Sequence, residues 1–208
     1  MKLYLSSYHL GNDSEKLKAM IGTNKKAAII PNALDFSQDL ARRDKSMQQE
    51  MDDLKRLGFV PNELDLRKYF GKVNELRLKI KEYGLVWVRG GNCFVLRRAM
   101  QESGFDEIIK EYRNRDELVY GGYSAGVCVI TPTLKGIELV DDAEILPEGY
   151  KNQTIWDGIG LINYCFAPHY HSDHPESEVM NKTIQYFTDN KILFKALKDG
   201  EVLIDSTQ

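Results

Sequence analysis

Two hydrophobic periods alternate along this chain. Leu3 to Ser7, Ala27 to Ile30 and Leu85 to Val88 are short, almost uninterrupted apolar runs, the pattern of strands buried on both faces. Phe59 to Leu66 and the segment opening at Leu118 read as further strands. Between them, apolar residues recur at helical spacing. Phe36, Leu40, Met47, Met51, Leu54 and Leu57 fall on one face among many charges, and Gly58 supplies the stop. Shorter helical patterns run from an Asp13 cap through Ile21, from Lys72 to Tyr83 and from Asn92 through Gln101, with another turn or two at Ile108 to Tyr112. Strand and helix therefore alternate, which predicts a mostly parallel sheet covered by helices on both faces, a three-layer α/β/α architecture.

Beyond the fifth strand the pattern is less regular. Ile137 to Val140 alternates like a strand, Gly158 to Pro168 reads as another, and Pro175 to Asn190 is a helix with proline and glutamates in its first turn. Leu193 to Leu197, the Lys198-Asp199-Gly200 turn and Glu201 to Ile204 predict a closing hairpin-like pair. No repeat, low-complexity tract or linker interrupts the 208 residues, so residues 1–208 are expected to form a single domain.

Composition narrows the function classes. A net charge of −3 offers no basic footprint for nucleic acid or an anionic membrane surface, and no apolar run reaches transmembrane length. The N-terminal apolar stretch is too short for a signal peptide. Cys93, Cys128 and Cys165 are far apart, lack metal-site spacing and fall in apolar surroundings, so they read as core residues of a protein from a reducing cytoplasm.

The chemistry concentrates at Gly122-Tyr123-Ser124-Ala125-Gly126, a G-x-S-x-G pattern following an apolar run. On a sharp strand-to-helix turn such a serine is an exposed nucleophile; on an ordinary glycine-rich turn it caps the helix. The motif alone leaves these two readings level. A serine nucleophile needs a base, an orienting group and oxyanion donors. Three of the four histidines, His169, His171 and His174, cluster after a predicted strand end. One catalytic histidine with two bystanders ranks ahead of a plain surface loop, and a zinc site built with Asp173 ranks third. The Gly90-Gly91 pair after another strand can supply an oxyanion N–H, and Ala125, directly after the serine, the second. The third glycine of a dinucleotide fingerprint is missing. No cofactor and no metal are expected.

Gly90-Gly91-Asn92, Gly122-Tyr123-Ser124-Ala125-Gly126 and Pro168-His169-Tyr170, in this order and across nearly the whole chain, resemble the peptidase S51 family, which includes dipeptidase E and cyanophycinase. The resemblance implies a class I glutamine amidotransferase-like fold and a serine-type peptidase acting on short peptides, possible Asp-X dipeptides among them. It assigns the nucleophile to Ser124, the base to His169, and the oxyanion donors to the Gly91 and Ala125 backbones. Asn92 and Tyr123 are the expected substrate contacts. The acid falls on Asp199, with Glu138, Asp141 and Glu201 as the other carboxylates in range. An esterase or amidase with the same serine, and a non-catalytic binding module of the same fold, are the alternatives.

Overall fold

The computed structural model describes residues 1–206. Five strands run parallel: β1 (Lys2–Ser6), β2 (Lys26–Ile30), β3 (Val60–Glu63), β4 (Leu85–Val88) and β5 (Val119–Tyr123). Two short strands, β6 (Cys165–Ala167) and β7 (Phe194–Ala196), pair with each other in parallel apart from this sheet. β8 (Val202–Ser206) returns antiparallel to β1, completing a six-stranded sheet of order β3-β2-β4-β5-β1-β8.

Alternation along the strands shows why both faces are covered. Leu3, Leu5, Ala28, Ile30, Val86 and Val88 enter one core. Their neighbours Tyr4, Ala27, Ile29, Leu85 and Trp87 enter the other, as period-two geometry requires. The first core is closed by α3 (Val73–Ile80), α4 (Cys93–Ser103), α5 (Phe105–Glu111) and α6 (Ala125–Cys128). The second is closed by α1 (Ser14–Met20) and α2 (Leu40–Arg56), through Leu17, Met47 and Leu54. This is the expected three-layer arrangement. The last helix, α7 (Ser177–Asp189), packs its buried Met180 and Phe187 into the first core.

Several boundaries differ from expectation, each for a local reason. α2 begins at Leu40, where Asp39 caps it by accepting from Arg42 N at 2.9 Å, and not at Phe36. β3 stops at Glu63, and Leu66–Tyr69 turns as a 3-10 helix opened by the Asp65 carboxylate on Arg67 N. Ile137–Leu139 is also a 3-10 turn and not a strand: Ile137 is buried while Leu139 is 43% exposed, although a strand would set both on one face. From Gly158 to Tyr164 the chain is irregular. Its apolar residues are buried as expected, but Ile159 N and Leu161 N donate to Val129 and Ile130 carbonyls after α6 rather than to a strand. Glu201 to Ile204 does not fold back on Leu193 to Leu197, because β7 pairs with β6 and β8 with β1. The closing segments thus join two sheets, and the turn between them is carried into the site.

Candidate active site

Ser124 leaves β5 at φ 48°, ψ −115°, a backbone conformation that costs a non-glycine residue of order 1–3 kcal/mol. It persists because both sides of the turn are fixed. Ser124 N donates to Ser6 O at 3.3 Å, and its carbonyl accepts from Val127 N and Cys128 N to start α6. The hydroxyl makes no capping hydrogen bond, so Ser124 does not act as the cap of α6. The flanking glycine is a steric necessity. A Cβ on Gly126 would lie 2.3 Å from the Val88 carbonyl oxygen, where α6 passes directly over β4.

The register Val88↔Gly122 sets the loop after β4 beside the serine. A Cβ on Gly90 would be 3.2 Å from Ser124 Cβ, which measures how closely that loop abuts Ser124. Gly91 adopts φ +138°, and a Cβ added there would lie 2.5 Å from Ala33 O, so only glycine fills the position without strain. Ala125 is the first residue of α6, so its N–H has no acceptor within the helix and sits at the positive end of the turn. Both expected oxyanion donors therefore flank Ser124.

The expected base and acid come from the small second sheet. Ala167 and Ala196 are register partners of β6 and β7, and the chain beyond each carries His169 and Asp199 to the same place. His169 Nδ1 lies 2.7 Å from Asp199 Oδ1. That carboxylate fixes the tautomer with the proton on Nδ1 and leaves the lone pair on Nε2. Burial pushes the His169 pKa below the usual imidazole value, and the Asp199 charge opposes that shift. The other three carboxylates do not reach the imidazole Nδ1. Glu138 accepts from Gly136 N, Glu201 from Lys198 N, and Asp141 from Cys93 N at the start of α4.

Ser7 is a member that the sequence did not single out. Fully buried just past β1, its Oγ donates to Asp199 Oδ1 at 2.8 Å and accepts from His169 N at 2.8 Å, tying acid to base. Its position beyond a parallel strand's carboxyl end was the available signal. His174 stacks on His169 at 3.6 Å with planes 6° apart, and Glu176 Oε2 lies 3.9 Å from His169 Nε2. One ligand atom from each of His169, His174 and Glu176 can be chosen within 4.8 Å of the others. Parallel stacked rings, however, cannot both aim an in-plane lone pair at a single ion. His171 is exposed and stacks on Tyr170 instead.

Ser124, His169, Gly91 and Tyr123 line one cavity of about 490 Å³, with Tyr8, His9 and the N-terminal half of α2 as its other walls. Tyr123 presents its ring there while its hydroxyl neighbours Glu50 and Arg89. Asn92 does not line the cavity. Its Oδ1 accepts from Phe94 N and Val95 N as the cap of α4, and Nδ2 donates to Asp142 O, so both polar atoms are engaged away from the cavity.

Among relatives, an uncharacterized peptidase of Listeria monocytogenes is 28% identical over 131 residues, covering 63% of this chain and 60% of that protein. An uncharacterized peptidase of Pasteurella multocida is 25% identical over 170 residues, covering 79% and 74%. The match thus spans about 60% of the length of the Listeria relative. Two crystal structures share the fold. One, of a Listeria monocytogenes protein described as a candidate peptidase E, has a TM-score of 0.70 at 21% identity and covers 100% of this chain and 98% of its own. The other, of a peptidase from an acI-B1 Actinobacterium, has a TM-score of 0.70 at 17% identity, covering 98% and 82%. The central sheet and its two helical layers are therefore those of the class I glutamine amidotransferase-like fold. The family model for Peptidase family S51 matches residues 5–206, from within β1 to the end of β8 and across the Ser124, His169 and Asp199 positions: this chain belongs to peptidase family S51.

Proposed function

We propose that the chain is a serine peptidase of the dipeptidase E type, hydrolysing short peptides, with Asp-X dipeptides the first substrates to offer. The observation that carries this reading is the 2.7 Å contact of His169 Nδ1 with Asp199 beside a serine held in a strained elbow and free of any capping role. His169 Nε2 takes the Ser124 proton as Oγ attacks the peptide carbonyl. The Gly91 and Ala125 N–H groups meet the oxyanion, and the imidazolium returns the proton to the leaving amine. Water, activated by the same imidazole, then releases the acyl group from Ser124. No cofactor enters these steps. The three cysteines are free and buried, which suits a reducing cytoplasm, and among the described residues no helix is long and apolar enough to cross a membrane.

The acid follows the histidine in the chain, Ser124, His169, Asp199, and this opposes the esterase alternative of α/β-hydrolase type, whose acid lies between the two. A dipeptide panel with acidic and neutral first residues tests the reading. Wild type should release amino acids and Ser124→Ala should not; equal release by both would refute it. A serine-reactive phosphonate should modify Ser124 alone, whereas a non-catalytic binding module would not be labelled.

A further inference from the structure

The catalytic steps leave one buried charge in the cavity unused. Arg89 directly follows β4 and, by alternation, continues the face that Leu85 and Trp87 turn toward α2. Its side chain is only 2% exposed, yet the residue lines the cavity beside Gly90, Tyr123 and Ser124. Nη2 donates to Ser46 Oγ at 2.7 Å. Nε lies 3.8 Å from Glu50 Oε2, beyond hydrogen-bond reach, and that oxygen already accepts from Trp87 Nε1 at 2.8 Å. Among the described residues, Nε and Nη1 have no partner at hydrogen-bond geometry, the Tyr123 hydroxyl being the polar group nearby that the guanidinium also feels.

A guanidinium cannot shed its charge, and buried donors left unmet are costly. Glu50 balances the charge without satisfying the fork. The remaining cations of this wall accentuate the bias: Arg42 is exposed at the rim, and Arg43 reaches Asp35 at 3.3 Å. The one carboxylate on the same stretch of wall, Asp39, is occupied as the cap of α2. The other lining carboxylate, Glu176, stands with His169 and His174 on the loop after β6.

We propose that Arg89 is a specificity-determining residue of this site, whose unmet donors, with Ser46 beside them, take a carboxylate carried by the substrate. The inference rests on the peptidase reading above. A side-chain carboxylate and a C-terminal carboxylate present the same planar pair of acceptors to the guanidinium fork, so the test separates these two sources.

Binding of Asp-Leu, Asn-Leu and Asp-Leu amide to the Ser124→Ala protein is measured by calorimetry, where turnover plays no part. One of the two neutralised peptides should bind roughly 10- to 100-fold more weakly than Asp-Leu, the range of a charge-assisted hydrogen bond, and which one it is identifies the source. Combining Ser124→Ala with Arg89→Met and Glu50→Gln removes both buried charges together and should close that gap. Arg89→Lys keeps the charge without the fork and should retain part of it. Equal affinity for all three peptides, no measurable affinity included, overturns the proposal, as does a gap that survives in the charge-free variant. Binding as described without any cleavage by wild type would refute the peptidase reading alone. Cleavage of all three at the same kcat/KM would refute the role of Arg89 alone.

Discussion

At the scale of single residues, the site depends on where protons sit. Asp199, itself held by Ser7, fixes one tautomer of His169, and burial keeps the ring neutral at pH values where a free imidazole would begin to charge. Activity should therefore persist below the ordinary histidine range, and the acid limb of kcat/KM should lie beneath pH ~6.5. Asp199→Asn removes the charge that raises the His169 pKa, so this limb should move to lower pH still. The same change releases the tautomer and should lower kcat by up to about 10⁴-fold. A pH-rate profile of the variant that matches wild type in both height and position would show that Asp199 does not orient the base. The serine and glycine positions were legible in the sequence because their chemistry has a fixed spacing around a turn, whereas His169 was picked out of three clustered histidines only by the family resemblance. Ser7 and Arg89 were not, because a lone serine and a lone arginine acquire a role only from what folds against them.

At the scale of elements, the elbow is a contact between β4, β5 and α6. Val88 of β4 lies against both ends of the glycine-bracketed turn, and its carbonyl occupies the space that a side chain on Gly126 would need. Gly126→Ala should force α6 off β4, cost about 1–3 kcal/mol of stability and displace the Ala125 donor from the oxyanion position. Gly22→Ala, where no atom lies within 4 Å of the added carbon, should cost far less and serves as the control. Chemical denaturation reads the difference, and equal midpoints for the two variants would show that the close approach over Val88 is not limiting. The parallel strands and their helices were predictable from alternating periods. The 3-10 turn at Ile137–Leu139 was not, since three alternating residues carry too little periodicity to separate a strand from a turn.

Across the whole molecule, Asp141 links stability to pH. Burial raises its pKa from 3.8 to about 6, against the hydrogen bond from Cys93 N that favours the charged form. A pKa raised on folding stabilises the native state fully below the unfolded value, and that contribution is lost as pH rises through about 6. Asp141→Asn keeps an acceptor for Cys93 N and removes the charge. It should raise the melting temperature at pH 8 by an amount corresponding to about 1–3 kcal/mol, with the gain shrinking toward pH 5. Thermal melts at both pH values check this, and a gain independent of pH would exclude charge burial as the cause. The sequence by itself determined the layer architecture, the glycine-bracketed serine turn and the histidine segment, because periodicity and turn chemistry are local properties of the chain; that the turn is strained and its serine uncapped only the folded structure decided. Only the tertiary structure decided which carboxylate meets His169. Asp199 reaches it because β7 joins β6 and β8 crosses to β1 instead of closing a hairpin, and strand partnership is set by packing across distant segments. The same crossing placed Ser7 between Asp199 and His169, while the packing of α2 on the sheet buried Arg89 beside Ser124.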